Sequence, residues 1–93
     1  MTPEYGILTF YRSEFVRLKI EARRGGVALQ HCAWMIEECL TMLTVPTQDR
    51  EVFFKVNRWI GFVQGVLWKE GIYTVDQLRE HVTIAKGVSN AAV

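Results

Sequence analysis

Apolar positions recur along this chain at helical spacing in four stretches separated by glycine and proline. In the first, Ile7, Leu8, Tyr11, Phe15, Leu18 and Ala22 fall on one stripe. Thr2-Pro3-Glu4 provides a start: an N-cap hydroxyl, a proline where its missing N–H costs nothing, and an acid at the positive end of the dipole. With Gly25-Gly26 as the stop, the pattern predicts a helix over residues 3–24. A rival pattern overlaps it, because Val16, Leu18, Ile20 and Ala22 alternate with Phe15, Arg17, Lys19 and Glu21 as in a half-buried strand. Helix is preferred because its stripe covers 16 residues and the alternation only eight.

The second stretch, residues 27–44, is apolar over about half its circumference, through Ala28, Leu29, Cys32, Ala33, Met35, Ile36, Cys39, Leu40, Met42 and Leu43. Trp34 stands among the polar positions Gln30, His31, Glu37, Glu38 and Thr41, so its indole either packs on another element or meets a partner. Val45-Pro46 breaks the pattern, and Thr47-Gln48-Asp49 opens a third helix over 48–70, closed by Gly71. Its core stripe is Val52, Val56, Trp59, Ile60, Val63, Val66 and Leu67. Thr74 and Gln77 form a capping box for a short fourth helix over 75–85, with Tyr73 placed to staple onto Leu78. Residues 87–93 carry no periodicity and read as a flexible tail. The fold class expected is all-α: one domain over residues 1–93, a small bundle of three main helices and a short C-terminal one.

The side of the third helix away from its core stripe carries Phe54, Gly61, Gly65 and Trp68, flanked by Asn57, Arg58, Phe62 and Gln64. A glycine inside a helix costs up to about 1 kcal/mol against alanine, so two of them four residues apart need an offset. Three present themselves: another helix of this chain packed closely on them, a second copy of the chain, or a ligand or foreign protein in a shallow groove between aromatic walls. Small residues at this spacing are best known from membrane helix pairs.

Composition sharpens the question. A chain of 93 residues with 49% hydrophobic residues has more apolar side chains than one small core hides, since a domain of this size buries only about 60 to 65% of its unfolded surface. The surplus is expected on the second helix and on the Phe54, Gly61, Gly65, Trp68 side of the third. No apolar run approaches the roughly 20 residues of a membrane span, and the N-terminal residues lack the pattern of a secretory signal. A soluble, cytoplasmic protein is expected. Lys and Arg number 11 against 10 Asp and Glu, a net charge of +1, which argues against nucleic acid and for a protein surface. Arg12, Lys19 and Arg23 share one side of the first predicted helix, but Glu14 and Glu21 interleave with its basic residues, as on a solvated face.

Catalytic chemistry finds little footing. His31 and His81 have no serine or cysteine constellation around them, and Glu37 and Glu38 point about 100° apart on a helix. Cys32 and Cys39 lie about 10 Å apart along a helix axis, too far for a disulfide, and read as buried thiols. No zinc-ligand spacing is present. The Gly25-Gly26-Val27 backbone before a helix is a weak anion loop. No metal, cofactor or enzymatic activity is expected, short of a site completed between subunits.

The run Asn57-Arg58-Trp59-Ile60-Gly61-Phe62-Val63-Gln64-Gly65-Val66-Leu67-Trp68, followed by Gly71-Ile72-Tyr73-Thr74 and Leu78, resembles the C-terminal motif of small accessory proteins encoded by tailed bacteriophages and prophages. The resemblance covers about a quarter of the chain and implies a protein that binds and inhibits host or defence components in the bacterial cytoplasm. More distantly, the all-helical make-up and Asp49-Arg50 at the start of the long helix resemble the helical phage sponges that sequester cyclic nucleotides of CBASS-type immunity. The sequence around Arg58 departs from theirs. The function expected is therefore an oligomeric protein–protein inhibitor or modulator, with a nucleotide sponge or a structural oligomerisation module as alternatives. Arg58, Gln64, Trp68, Trp34 and Phe54 are the expected contact residues, and Gly61 and Gly65 the points of close approach.

Overall fold

The computed structural model describes residues 2–44 and 49–87 and shows four helices and, among these residues, no strand: α1 (Pro3–Arg17), α2 (Ala28–Thr44), α3 (Arg50–Lys69) and α4 (Val75–Gly87). The break expected at Val45-Pro46, the Thr47-Gln48 helix start and nearly all of the expected 87–93 tail lie outside the described residues.

Side chains written next to each helix close its ends. Thr2 Oγ1 accepts the Tyr5 N–H at 3.1 Å, and the Asp49 carboxylate accepts the Glu51 N–H at 2.9 Å. Thr74 and Gln77 exchange both bonds of the capping box, at 2.8 and 3.1 Å. At the start of α2, Gln30 supplies one half of such a box by accepting the Val27 N–H at 3.1 Å; valine has no hydroxyl to return the other.

The first helix is shorter than its stripe predicts. It ends at Arg17, and neither the helix to residue 24 nor the alternating strand exists: residues 18–27 are loop and turn. The stop is Lys19, whose φ of +59° lies in the left-handed region. There the Ile20 N–H reaches the Phe15 carbonyl at 2.9 Å and the Lys19 N–H that of Val16 at 3.0 Å, the paired bonds of a Schellman ending. Phe15 is buried, and Ile20 packs partly buried against the core. The same ending closes α3, where Gly71 has φ +74° and Ile72 and Gly71 donate to Leu67 and Trp68 at 2.9 and 3.0 Å. Gly25-Gly26 ends no helix; it forms the turn before α2.

Contacts between helices give their directions. Glu4 and Tyr11 of α1 meet Asn57 and Gln64 of α3 in that order, so these helices run parallel. Trp34 lies beside Trp59, and Cys39 feels the charge of Lys55, so α2 is antiparallel to α3. Gly6 faces Ala85 and Tyr11 faces His81, so α4 is antiparallel to α1. The bundle is thus up-down-up-down, with α1 and α3 in the middle, α2 on one side and α4 on the other. It is flattened, measuring 38 × 30 × 19 Å.

The core lies between α1, α2 and α3, where Leu8, Tyr11, Cys32, Ile36, Val56, Val63 and Leu67 are almost wholly buried. None of the described side chains of α4 is fully buried; Leu78, His81, Val82 and Ala85 are half-buried. Since fully burying a large apolar side chain contributes about 1.5 to 3 kcal/mol, α4 holds its place with far less than α2. No helix is long and apolar enough to cross a membrane among the described residues.

Candidate functional site

Part of the surplus of apolar surface is on α2, where Leu29, Trp34, Met42 and Leu43 are only half-buried. The large hydrophobic side chains left exposed among the described residues are Phe10, Val16, Val27, Phe54, Phe62, Trp68, Val75 and Ile84. Three of them, Phe54, Phe62 and Trp68, stand on α3 and are each more than half exposed.

Phe54, Arg58, Gly61, Gly65 and Trp68 form one outward stripe along α3, all exposed. A Cβ built on Gly61 or Gly65 would meet nothing within 4 Å, so among the described residues no helix packs on these glycines. The close helix approach inside the bundle uses a different glycine: a Cβ on Gly6 would stand 3.9 Å from the Ala85 Cβ, across the α1–α4 contact. Beside the stripe, Gly65 and Trp68 continue into an open, mostly apolar trough of 590 Å³ bordered on α4 by Val75, Leu78, Arg79 and Val82.

Gln64, expected as an exposed contact, is half-buried and turned inward. Its Nε2 donates to the Tyr11 hydroxyl at 3.1 Å, and that hydroxyl lies 3.0 Å from His81 Nδ1. One phenolic oxygen thus joins the side chains of α3 and α4. Phe10 and Tyr73 flank the ring at 4.8 and 4.6 Å. Tyr73 in turn hydrogen-bonds Glu14, whose two carboxylate oxygens each hold an Arg17 nitrogen at 3.0 Å. Among the described residues no buried side-chain polar atom lacks a partner.

Titration follows from these contacts. Burial holds His81 below the usual histidine value, and burial, opposed by the Gln64 bond, raises Tyr11. Bonds from Arg17 and then Tyr73 hold Glu14 below the usual carboxylate range. Burial pushes the Cys32 and Cys39 thiols up to about 11, and both are reduced in the structure. Among the described residues no three His, Cys, Asp or Glu come together as metal ligands.

Trp34 is half-buried, with neighbours on both sides. Its ring centroid is 5.2 Å from His31 and 5.9 Å from Trp59. The Arg24 guanidinium lies 5.2 Å above Trp34 and the Lys55 ammonium 5.0 Å above Trp59. With Met35, Glu38, Thr41, Met42 and Phe62 these residues line an open groove of 890 Å³ between α2 and α3. The early end of α1 leaves Lys19, Arg23 and Arg24 in the loop and not on the expected helix, which is how Arg24 reaches this groove. The same loop uses up the expected anion site: the Gly25, Gly26 and Val27 N–H groups are donated to His31 Nδ1, the Arg23 carbonyl and Gln30 Oε1 at 3.0, 3.1 and 3.1 Å.

Sequence reasoning missed Tyr11, His81, Arg24 and Lys55. The first two are 70 positions apart and show no local signal. For Arg24 the signal was indirect, since a loop assignment for residues 18–27 would have freed it from the helix face. No protein-family model, no curated protein and no solved structure matches this chain.

Proposed function

We propose that this chain is a non-enzymatic binding protein that self-associates through the outward face of α3 and, in the phage-type setting its motif resembles, modulates a host or defence protein. One observation supports the reading above all: Gly61 and Gly65 open onto empty space between exposed aromatic side chains. Two mid-helix glycines weaken α3 without serving a contact among the described residues, which supports a use outside the bundle. A second helix laid along them would come close to the backbone while Phe54 and Trp68 cover its flanks, removing from water the apolar area this chain leaves uncovered. Arg58 sits in the middle of the stripe, where its long stem adds apolar contact and its guanidinium a directional bond.

Light scattering at micromolar concentration tests self-association. The wild type is expected above monomer mass, and Gly61→Leu, whose side chain has free space in the bundle, is expected to be a folded monomer by circular dichroism. A wild-type monomer, or a Gly61→Leu protein with unchanged mass, would overturn the reading. The partner claim is tested with tagged protein in a bacterial lysate: a stoichiometric host protein retained by wild type and lost with Trp68→Ala supports it, and the lack of one removes it.

A further inference from the structure

The groove between α2 and α3 is separate from the outward stripe and has a feature that the stripe lacks: adjacent indole rings with a cation over each. We infer that it binds a free mononucleotide, the base stacked against Trp34 and Trp59 and the phosphate held between Arg24 and Lys55. The inference does not rest on the self-association reading.

Trp34 and Trp59 lie side by side with centroids 5.9 Å apart and planes tilted by 38°, and Phe62 extends the apolar floor. Each indole packs partly buried against the core and has a cation lying over its ring. Arg24 and Lys55 are exposed, and no ion pair is formed by either among the described residues. A cation resting on an indole face exchanges that contact for a phosphate at little loss, because the charge-assisted bond is the stronger one. The exchange frees the ring face for a base. The groove thereby offers a flat anion both halves of its recognition at once.

The surroundings are held in place. Arg23 donates its N–H to the Gln30 carbonyl at 3.0 Å and Gly25 its N–H to His31 Nδ1 at 3.0 Å, so the backbone on both sides of Arg24 is tied to α2. Because His31 Nδ1 is an acceptor, its proton is on Nε2, a further donor in the groove wall. Glu38 is the lining carboxylate, leaving two lining cations against one anion. The volume of 890 Å³ falls within the range of about 300 to 1,000 Å³ common for small-ligand sites.

Charge selects a mononucleotide over a nucleic-acid strand. A strand needs a basic track along its backbone, whereas this groove has two cations and the chain a net charge of +1.

Calorimetric titration of the full chain with the four common ribonucleoside monophosphates, the matching nucleosides, inorganic phosphate and a short single-stranded oligonucleotide tests the site. At least one monophosphate is expected to bind about tenfold or more tightly than its nucleoside and than phosphate. Arg24→Glu and Lys55→Glu, both at exposed positions, should each weaken it about tenfold or more. Trp34→Ala should do the same through lost stacking, while Arg12→Glu, an exposed charge reversal outside the groove, should leave it unchanged. The inference is overturned if no monophosphate binds at millimolar concentration, if nucleoside or phosphate alone binds as tightly, if the charge reversals leave affinity intact in folded protein, or if the oligonucleotide binds more tightly than every monophosphate.

Discussion

Tyr11 and His81 share a hydrogen bond of 3.0 Å across 70 positions of sequence, from the phenolic oxygen of α1 to Nδ1 of α4. With Gln64 donating to the same oxygen from α3, this bond ties the sparsely buried fourth helix to the two central ones. Burial at this contact favours the neutral imidazole over the charged one.

Stability should therefore fall in mild acid. His81 is held below its ordinary value of 6.5 by burial, against the opposing charges of Glu80 and Glu14. The unfolded chain then binds the proton more readily than the folded one, so the contribution is full above about pH 6.5 and is lost as pH falls through that value toward the folded pKa. Urea midpoints measured from pH 7.5 to 5 should decline for the wild type and decline less for His81→Gln, which keeps an acceptor but does not titrate. Equal slopes would exclude His81 as the source. Glu14, held low by Arg17 and Tyr73, acts in a separate window, with its contribution present above about 4.5 and lost below it.

Tyr11→Phe removes the shared hydroxyl and leaves both Gln64 and His81 without it, in a setting where Tyr11 is 1% exposed. The expected cost is about 1 to 3 kcal/mol, read from denaturant unfolding. The Tyr11→Phe, His81→Gln double variant should lose less than the sum of the two single losses, because both act on one bond.

Lys19 and Gly71 occupy the same position of the same helix ending, at φ +59° and +74°. Lysine bears a steric cost there that glycine does not. Lys19→Gly should stabilise the protein by about 0.5 to 1 kcal/mol, and Gly71→Ala should destabilise it by about 1 kcal/mol. A loss of stability in Lys19→Gly would show that the lysine side chain contributes more than its backbone strain costs.

At Gly61 and Gly65 stability and assembly should move in opposite directions. Neither position leaves a Cβ anything to strike within 4 Å, so Gly→Ala at each should raise the stability of the single chain by up to about 1 kcal/mol. The same substitutions should weaken self-association measured by sedimentation. If both quantities rise together, close approach at these glycines is not what brings the chains together.

Cys32 and Cys39 are 0% and 1% exposed, and burial pushes their thiols up to about 11. The reactive thiolate is scarce and shielded in the folded state. Labelling by a thiol reagent at pH 8 should be slow in buffer and should accelerate with urea in step with unfolding; rapid labelling of folded protein would place the α2 core in frequent local opening.

Much of the bundle was legible because its signals are local. Thr2, Asp49 and the Thr74–Gln77 pair act on backbone groups two or three residues away, so the residues themselves name the helix starts. Gly71 named one helix end for the same reason. The end of α1 was hidden because a lysine fills the left-handed position, where no residue type announces itself, and the apolar stripe runs on past it through Ala22. The outward stripe of α3 was legible as the face opposite a core stripe. That no sister helix covers it was not, because one helix does not record which neighbours surround it.

Local chemistry in the chain thus specified the helical class, three of the helix starts, the two unpaired thiols and the odd glycines of α3, since each depends on residues within a turn of one another. Tertiary packing alone decided the rest: it buried the inner face of α2, turned Gln64 inward to Tyr11, left Gly61 and Gly65 bare among the described residues, and brought Arg24 and Lys55 over the two indoles. Those outcomes depend on residues tens of positions apart sharing a small volume. Helical periodicity encodes which face of a helix is apolar, but not which other helix that face will meet.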